Sequence, residues 1–331
     1  MRFRGLLLAL ALLFNLVVTL PATASATTSA TTSATTSATA PARSGAWVVH
    51  EERLSDRLLE LTVHSDAVGH DVGVRLLLPP DWQRFPHREW PTLYLLHGCC
   101  DGDTGYRSWT NNTDAEALTA HTNVLVVMPE GGPGGFYSDW LTGPAWETFH
   151  LTELRRLVER EYRSGHERAI AGLSMGGFGA LSYAARHRGM FKAAASYSGV
   201  VHTRFESPAG ETLVANIVRG AGADPAALWG DPAAHPDVWA AHNPYDLAGR
   251  LRGIPVYLSA GNGQPGPLDP PDATPDGLEE FLGAQSVALA DQMRAEHVKV
   301  RTDFYGPGRH AWPYWERALH RSLPMLVRAI S

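Results

Sequence analysis

The stretch RAIAGLSMGGFGALSYAARH, Arg168–His187, decides how this chain is read. It opens on an apolar run, Ala169–Leu173, passes through Gly172-Leu173-Ser174-Met175-Gly176, and continues as an Ala/Leu/Tyr-rich segment. A short continuous apolar run predicts a strand buried on both faces. Gly176–His187 predicts a helix. A serine held between two glycines where a strand turns sharply into a helix stands out at the carboxyl edge of a sheet, on a helix N-terminus. The glycines have a steric purpose there, since a side chain at Gly172 or Gly176 would crowd the strand and helix that meet at the turn. Taken alone the pattern is weak, because an ordinary Gly-rich turn carries the same letters. Ser174 becomes a nucleophile only if the chain also supplies a base, an acid and an oxyanion site.

Working outward, Leu58–His64 and Val72–Leu78 predict two antiparallel strands, with Asp66, Gly69 and Asp71 supplying the turn. Thr92–Leu96, Asn123–Met128, Ala193–Tyr197, Ile254–Ala260 and Val298–Tyr305 predict further strands. Helical spacing or length marks Thr113–Ala120, Trp146–Tyr162, Leu278–His297 and Tyr314–Ile330. Strands alternating with helices imply an α/β fold, a mostly parallel sheet covered on both faces. His202–Asn243, rich in Ala, Pro and Gly, reads as an irregular excursion over that sheet.

The 331 residues are 44% hydrophobic and 19% charged, which suits a large globular domain. The formal net charge of −6 is spread along the chain without a Lys/Arg cluster, which argues against a nucleic-acid partner. The start reads differently. Arg2 and Arg4 precede a nearly uniform apolar run, Gly5–Leu20, and Ala22-Thr23-Ala24 has the small-residue spacing of a cleavage site. Residues 1–26 therefore read as a secretory signal, with an uncleaved membrane anchor as the rival reading. Residues 27–43 repeat Thr, Ser and Ala and read as a flexible spacer. The folded domain is expected over 44–331, outside the cell or in its envelope, with no stable membrane span in the mature chain. The two cysteines, Cys99 and Cys100, are adjacent, so they form either a vicinal ring or two buried thiols.

A serine hydroxyl is a poor nucleophile near neutral pH and needs a base. On this topology the order is serine, acid, histidine. Among 15 histidines, His310 stands just after the last predicted strand, in the Gly/Pro loop DFYGPGRHAWPYW. His187, His297 and His320 fall at a helix end, before a strand and within the closing helix. The acid that orients the imidazole should follow strand Ile254–Ala260, where Asp269, Asp272, Asp276, Glu279 and Glu280 all qualify. An oxyanion site needs two converging N–H groups. Met175, after the nucleophile, supplies one. The loop His97-Gly98-Cys99-Cys100 supplies the other, with Cys99 the candidate and Gly98 permitting close approach of the backbone. His97 as a metal ligand is the rival reading, but no Cys/His/Asp cluster has metal spacing in the sequence, so neither metal nor cofactor is expected. Asn111-Asn112-Thr113 reads as a helix cap in the form of a glycosylation sequon. Trp109 and Trp312 read as core or as pocket walls, and Tyr137, Asp139 and Trp140 as pocket neighbours.

Six blocks in one order, LYLLHG, VLVVMPEGGPGGFYSDW, WETFHLTEL, IAGLSMGGFGAL, LEEF and HAWPYW, are similar to the antigen 85 mycolyltransferase and esterase D superfamily. The resemblance runs from about Leu76 to Leu319 and implies the α/β-hydrolase fold. It implies Ser174 as nucleophile, His310 as base, and Glu279, in Leu278-Glu279-Glu280-Phe281, as the acid. The oxyanion amides fall on Met175 and Cys99. Asn112, Ser198 and Trp312 fall on sugar contacts of the family, and His97, Gly98 and Cys100 on its acceptor loop. Antigen 85 proteins carry Asp-Gly-Leu-Arg at that loop, and its charged pair grips trehalose. Both charges are missing here. The resemblance thus implies a secreted serine ester hydrolase or acyltransferase, taking an acyl-ester donor and passing the acyl group to water or to a sugar, glycerol or lipid hydroxyl. The rivals are a non-catalytic binding or adhesion protein on the same scaffold, which a degenerate triad would favour, and a peptidase of the same fold.

Overall fold

Alternation of the apolar side chains in the central strands explains how the molecule is layered. In a computed structural model, which describes residues 45–100 and 102–331, the strands are β1 Ala46–Arg53, β2 Leu58–Ser65, β3 His70–Leu77, β4 Trp90–Leu96, β5 Leu125–Pro129, β6 Ser164–Leu173, β7 Ala193–Tyr197, β8 Val256–Ala260 and β9 Val300–Phe304. They form one sheet in the order β1-β2-β3-β5-β4-β6-β7-β8-β9. The pairs β1–β2, β2–β3 and β3–β5 are antiparallel, and every pair from β5 to β9 is parallel. Leu93, Leu95, Val126, Met128, Ala171 and Tyr197 point to one face, against Trp315, Leu319 and Leu326 of helix Trp312–Arg328. Tyr94, Leu96, Val127, Ile170 and Ala194 point to the other, against Phe178 and Leu181 of helix Met175–Arg186 and Leu289 and Met293 of helix Gly277–Ala295. Period-2 alternation with both faces apolar is what a sheet buried on two sides requires. This is the α/β-hydrolase arrangement.

Parallel register brings the site-bearing loops to one edge. Leu96 pairs with Gly172, and Leu173 with Tyr197, so β4, β6 and β7 end together. The loops after β8 and β9 emerge at the same carboxyl edge, as the parallel pairing of β8 with β7 and β9 requires.

Two expectations are corrected, and two further elements stand where none was expected. Residues 202–243 are mainly helical, with helices Ala209–Gly220, Pro225–Trp229 and Pro236–His242. Proline stands at the first turn of the last two, and the Asp224 carboxylate accepts the Ala226 N–H. First-turn proline behind a capping residue starts a helix rather than breaking one. The Thr113–Ala120 helix shrinks to Ala115–Leu118, and Gly102–Asn112, for which no element was expected, is helical. Strand β1 lacks a sequence signal because its residues after Val48 are exposed. Expectations for residues 1–43 lie outside the described residues. Among the described residues, no helix is long and apolar enough to cross a membrane.

Candidate active site

Ser174 sits in the turn between β6 and helix Met175–Arg186 with φ +52° and ψ −120°, a left-handed conformation that a side-chain-bearing residue seldom adopts. The conformation is held by backbone. The Ser174 N–H donates to the Tyr197 carbonyl at 2.9 Å, and the Ser174 carbonyl accepts from Phe178 at 3.2 Å and Val200 at 3.2 Å. The flanking glycines are required by contact. A Cβ at Gly172 would run into the Gly176 carbonyl, and a Cβ at Gly176 into the carbonyls of Leu96 and His97. The expected steric reason for both glycines therefore has named partners.

Glu279 lies in the first turn of helix Gly277–Ala295 and is fully buried. A buried carboxylate needs donors, and this one has them. Oε1 accepts from Ser198 Oγ at 2.8 Å and from the Gly261 N–H at 2.6 Å, while Oε2 meets His310 Nδ1 at 2.8 Å. Of the five candidate carboxylates, Glu279 is thus the one bonded to the imidazole. Asp276 acts one step back. It caps the helix by accepting from Leu278 and Glu279, and its other oxygen accepts the His310 N–H at 3.0 Å. Burial pushes the Asp276 carboxyl up, but the N–H groups of His310 and Glu279 outweigh it and hold the carboxyl below its usual range. The Asp-x-Leu-Glu spacing is a capping signal that could have marked this role in the sequence.

Ser174 and His310 face a common cleft of about 360 Å³ whose other walls include Gly98, Cys99, Cys100, Leu213, Ile217 and Trp312. No hydrogen bond joins Ser174 Oγ to His310 among the described residues, a looseness common in empty sites of this kind. Trp315 packs edge-on against the His310 ring, centroids 4.8 Å apart, and Trp312 packs on Trp315. A wider depression of about 670 Å³, lined by Pro133, Asn216 and Gly220, adjoins the cleft through Cys100 and Ile217.

The loop opposite Ser174 is tied down from below. The His97 ring is buried. Its Nδ1 donates to the Gly98 carbonyl at 2.6 Å, its Nε2 accepts the Gly131 N–H at 2.8 Å, and Tyr137 Oη donates to the His97 carbonyl at 2.9 Å. Cys99 and Cys100 are joined as a vicinal disulfide, the first of the two readings left open by the sequence. The Cys100 N–H donates to the Pro133 carbonyl at 3.1 Å, whereas the Cys99 N–H has no partner among the described residues. Met175 begins its helix, where N–H groups lack intrahelical acceptors.

Several expected substrate contacts lie elsewhere. His97 does not reach the cleft, because both ring nitrogens are engaged in holding the loop. Asn112 is exposed and its amide donates back to the Ser108 carbonyl of its own helix. The Ser198 hydroxyl donates to Glu279 and accepts from Trp315 Nε1 at 3.3 Å, and it does not line the cleft. Gly98, Cys100 and Trp312 do line the cleft. Trp109 is core, its Nε1 donating to Leu96. Tyr137 is buried beneath the loop, Asp139 accepts from Thr148, and Trp140 donates to Gly135. His187 pairs with Glu147, and Thr113 Oγ1 accepts from Ala115. A three-residue group with metal-ligand spacing does exist among the described residues, brought together from two segments: Asp114, Glu316 and His320. Their own bonds account for it, His320 to Asp114 at 2.8 Å and Glu316 to the Asp114 N–H at 2.8 Å, and none of the three lines the cleft.

Against known proteins, residues 65–326 match the family model for esterases. The esterase Rv1288 of Mycobacterium tuberculosis is 36% identical over 234 residues, 66% of this chain, and the chain spans about half, 48%, of that relative's length. The diacylglycerol acyltransferase/mycolyltransferase Ag85A of Mycobacterium tuberculosis is 31% identical over 288 residues, 82% of this chain and 80% of the relative. Among solved structures, Mycobacterium tuberculosis MPT51 superposes with a TM-score of 0.68 at 24% identity, covering 85% of this chain and 99% of that one, which is a likeness of fold.

Proposed function

The chain belongs to the esterase family, in the antigen 85 and esterase D superfamily, and on that premise we propose that it is a serine-dependent acyl-ester enzyme working through an acyl-Ser174 intermediate. The observation that carries the reading is the bonded pair Glu279–His310 in the same cleft as a left-handed Ser174. His310 takes the Ser174 proton as the hydroxyl attacks an ester carbonyl, and returns it to the departing alcohol. Glu279 fixes the tautomer, since its bond to Nδ1 turns Nε2 toward the substrate, and it stabilises the imidazolium. The N–H groups of Met175 and Cys99 receive the oxyanion. A second passage of the same proton delivers water or a hydroxyl to the acyl group.

The mostly apolar walls, Leu213, Ile217, Leu278 and Leu282 among them, suit the acyl chain of a lipid ester. The acceptor is water or a sugar, glycerol or lipid hydroxyl. The loop that grips trehalose in antigen 85 proteins has neither of its charges here, which favours a different acceptor. Residues 1–26 are proposed as a secretory signal and 27–43 as a spacer. The catalytic domain, 44–331, then works outside the cell, where a disulfide persists.

The test is turnover of p-nitrophenyl esters of increasing chain length, with and without glycerol or sugar acceptors, with products read by mass spectrometry. Covalent labelling by a fluorophosphonate should map to Ser174 and vanish in Ser174→Ala. Labelling that persists in Ser174→Ala removes Ser174 from its role.

A further inference from the structure

Cys99 and Cys100 form a vicinal disulfide, and both line the cleft that holds Ser174. We propose that this disulfide is the positioning element of the oxyanion site: it holds the Cys99 N–H on the reacting carbonyl, so that reduction of the bond slows acyl transfer and reoxidation restores it. The proposal rests on the reading of Ser174 as nucleophile.

The loop is fixed on both sides of the Cys99 amide. Upstream, the His97 ring grips the Gly98 carbonyl and the Gly131 N–H, and Tyr137 grips the His97 carbonyl. Gly98 is packed so closely on the elbow that a Cβ there would lie 2.7 Å from Leu173 Cδ1 and 3.3 Å from Ser174 Cβ. Downstream, Cys100 holds φ +79°, a conformation that cysteine seldom adopts, and gives its N–H to Pro133. A ring closed through a single peptide unit constrains both residues at once and removes the freedom by which Cys100 would leave that conformation. Between the two anchors, the Cys99 N–H is left without an acceptor among the described residues. An amide kept available beside the proposed nucleophile, in a loop anchored on both sides of it, is what preorganised oxyanion stabilisation needs.

Cys100 is exposed and Cys99 partly so, which gives a reductant access. A dithiol thiolate attacks one sulfur to form a mixed disulfide, and its second thiol displaces the enzyme. Two electrons and two protons pass to the enzyme. Cys99 and Cys100 become thiols, and the dithiol becomes a cyclic disulfide. Cys100 is then free to return to negative φ, which breaks its bond to Pro133 and carries the Cys99 N–H away from the carbonyl.

The experiment measures p-nitrophenyl ester kinetics and fluorophosphonate labelling of the full chain before and after a dithiol, with thiols counted by alkylation and mass. Reduction is expected to lower kcat about tenfold or more, toward the 10²–10³ associated with loss of one oxyanion donor, with little change in KM. Labelling should slow in parallel, and reoxidation should restore both. The double variant Cys99→Ala/Cys100→Ala should melt as a folded protein, turn over slowly and ignore the dithiol. Full reduction without loss of kcat, a purified enzyme that is active with two free thiols, a change in KM alone, or a double variant with the wild-type kcat would each overturn the proposal. Persistent turnover by Ser174→Ala would instead sink the nucleophile reading, whatever the dithiol does.

Discussion

Two histidine–glutamate pairs flank Ser174, and they do different things with the same chemistry. In Glu279–His310 the carboxylate is fully buried and saturated by Ser198 and Gly261, while the imidazole stands in the cleft. Its Nδ1 meets the carboxylate, and Nε2 has no protein partner among the described residues. In Glu130–His97 both side chains are buried, and one Gly131 N–H is shared between His97 Nε2 at 2.8 Å and Glu130 Oε1 at 3.2 Å. Nδ1 lies on the Gly98 carbonyl, and Nε2 lies between the Gly131 N–H and Glu130 Oε1 at 3.2 Å, so both nitrogens of this ring are engaged inside the protein. Residue type does not separate a base from a brace. The separation lies in which nitrogen is left over and whether it opens on a nucleophile.

The comparison breaks first at the proposed nucleophile and its proposed base. Ser174→Ala should lower kcat by about 10⁴-fold or more, with the melting temperature little changed. Glu279→Gln should cost about 10²–10⁴-fold in kcat, because the amide loses the charge that stabilises the imidazolium and can orient the ring wrongly. Circular dichroism should show the fold intact, since Ser198 and Gly261 keep an acceptor. If Asp276→Asn produced that loss and Glu279→Gln did not, the roles assigned to the helix cap and the acid would have to be exchanged.

The brace should answer in the opposite proportions. His97→Gln leaves Gly98 and Gly131 to find new partners under the oxyanion loop, a loss of about 1–3 kcal/mol for a buried group left unsatisfied. For a domain of this size that is a fall in melting temperature of roughly 2–5 °C. The accompanying fall in kcat should be about tenfold, through the loop. A His97 variant with normal stability and a 10⁴-fold loss of kcat would erase the distinction between the two pairs.

What the sequence made legible follows the same line. Period and order place the parallel strands, Ser174 and His310, because those signals are local: an apolar run, a glycine pair, a Gly/Pro loop after a strand. The choice among Asp269, Asp272, Asp276, Glu279 and Glu280 is not local, since it depends on which carboxylate a helix start presents to His310 and which one receives Ser198 and Gly261. Only the resemblance picked Glu279 before the geometry did. The resemblance alone implied Ser198 as a sugar contact and His97 as an acceptor contact, and no local signal corrects it, because their bonded partners lie 81 and 34 residues away. The helices in 202–243 were missed for a different reason, a composition that reads as loop and hides helix-starting prolines.

The last predicted effect, on stability alone, tests the buried side of the comparison through pH. His150 lies beneath the brace, donating from Nε2 to the Glu130 carbonyl and accepting from Tyr183 Oη at Nδ1. Burial pushes its pKa down to about 4, and His242, also buried, is lowered to about 4 as well. In the unfolded chain both titrate near 6.5. Between these values the unfolded state binds more protons than the native state, so stability rises with pH across that window. The folded state keeps its full margin above about pH 6.5 and loses it as pH falls toward 4. His150 alone accounts for a loss on the order of 3 kcal/mol at the lower end, at 1.36 kcal/mol per pKa unit. Denaturant melts at pH 7 and pH 5 should therefore show wild type weakened at the lower pH. His150→Gln, less stable at pH 7, should show a smaller further loss. Equal losses in the two proteins would mean that burial of a neutral His150 is not what weakens the fold at the lower pH.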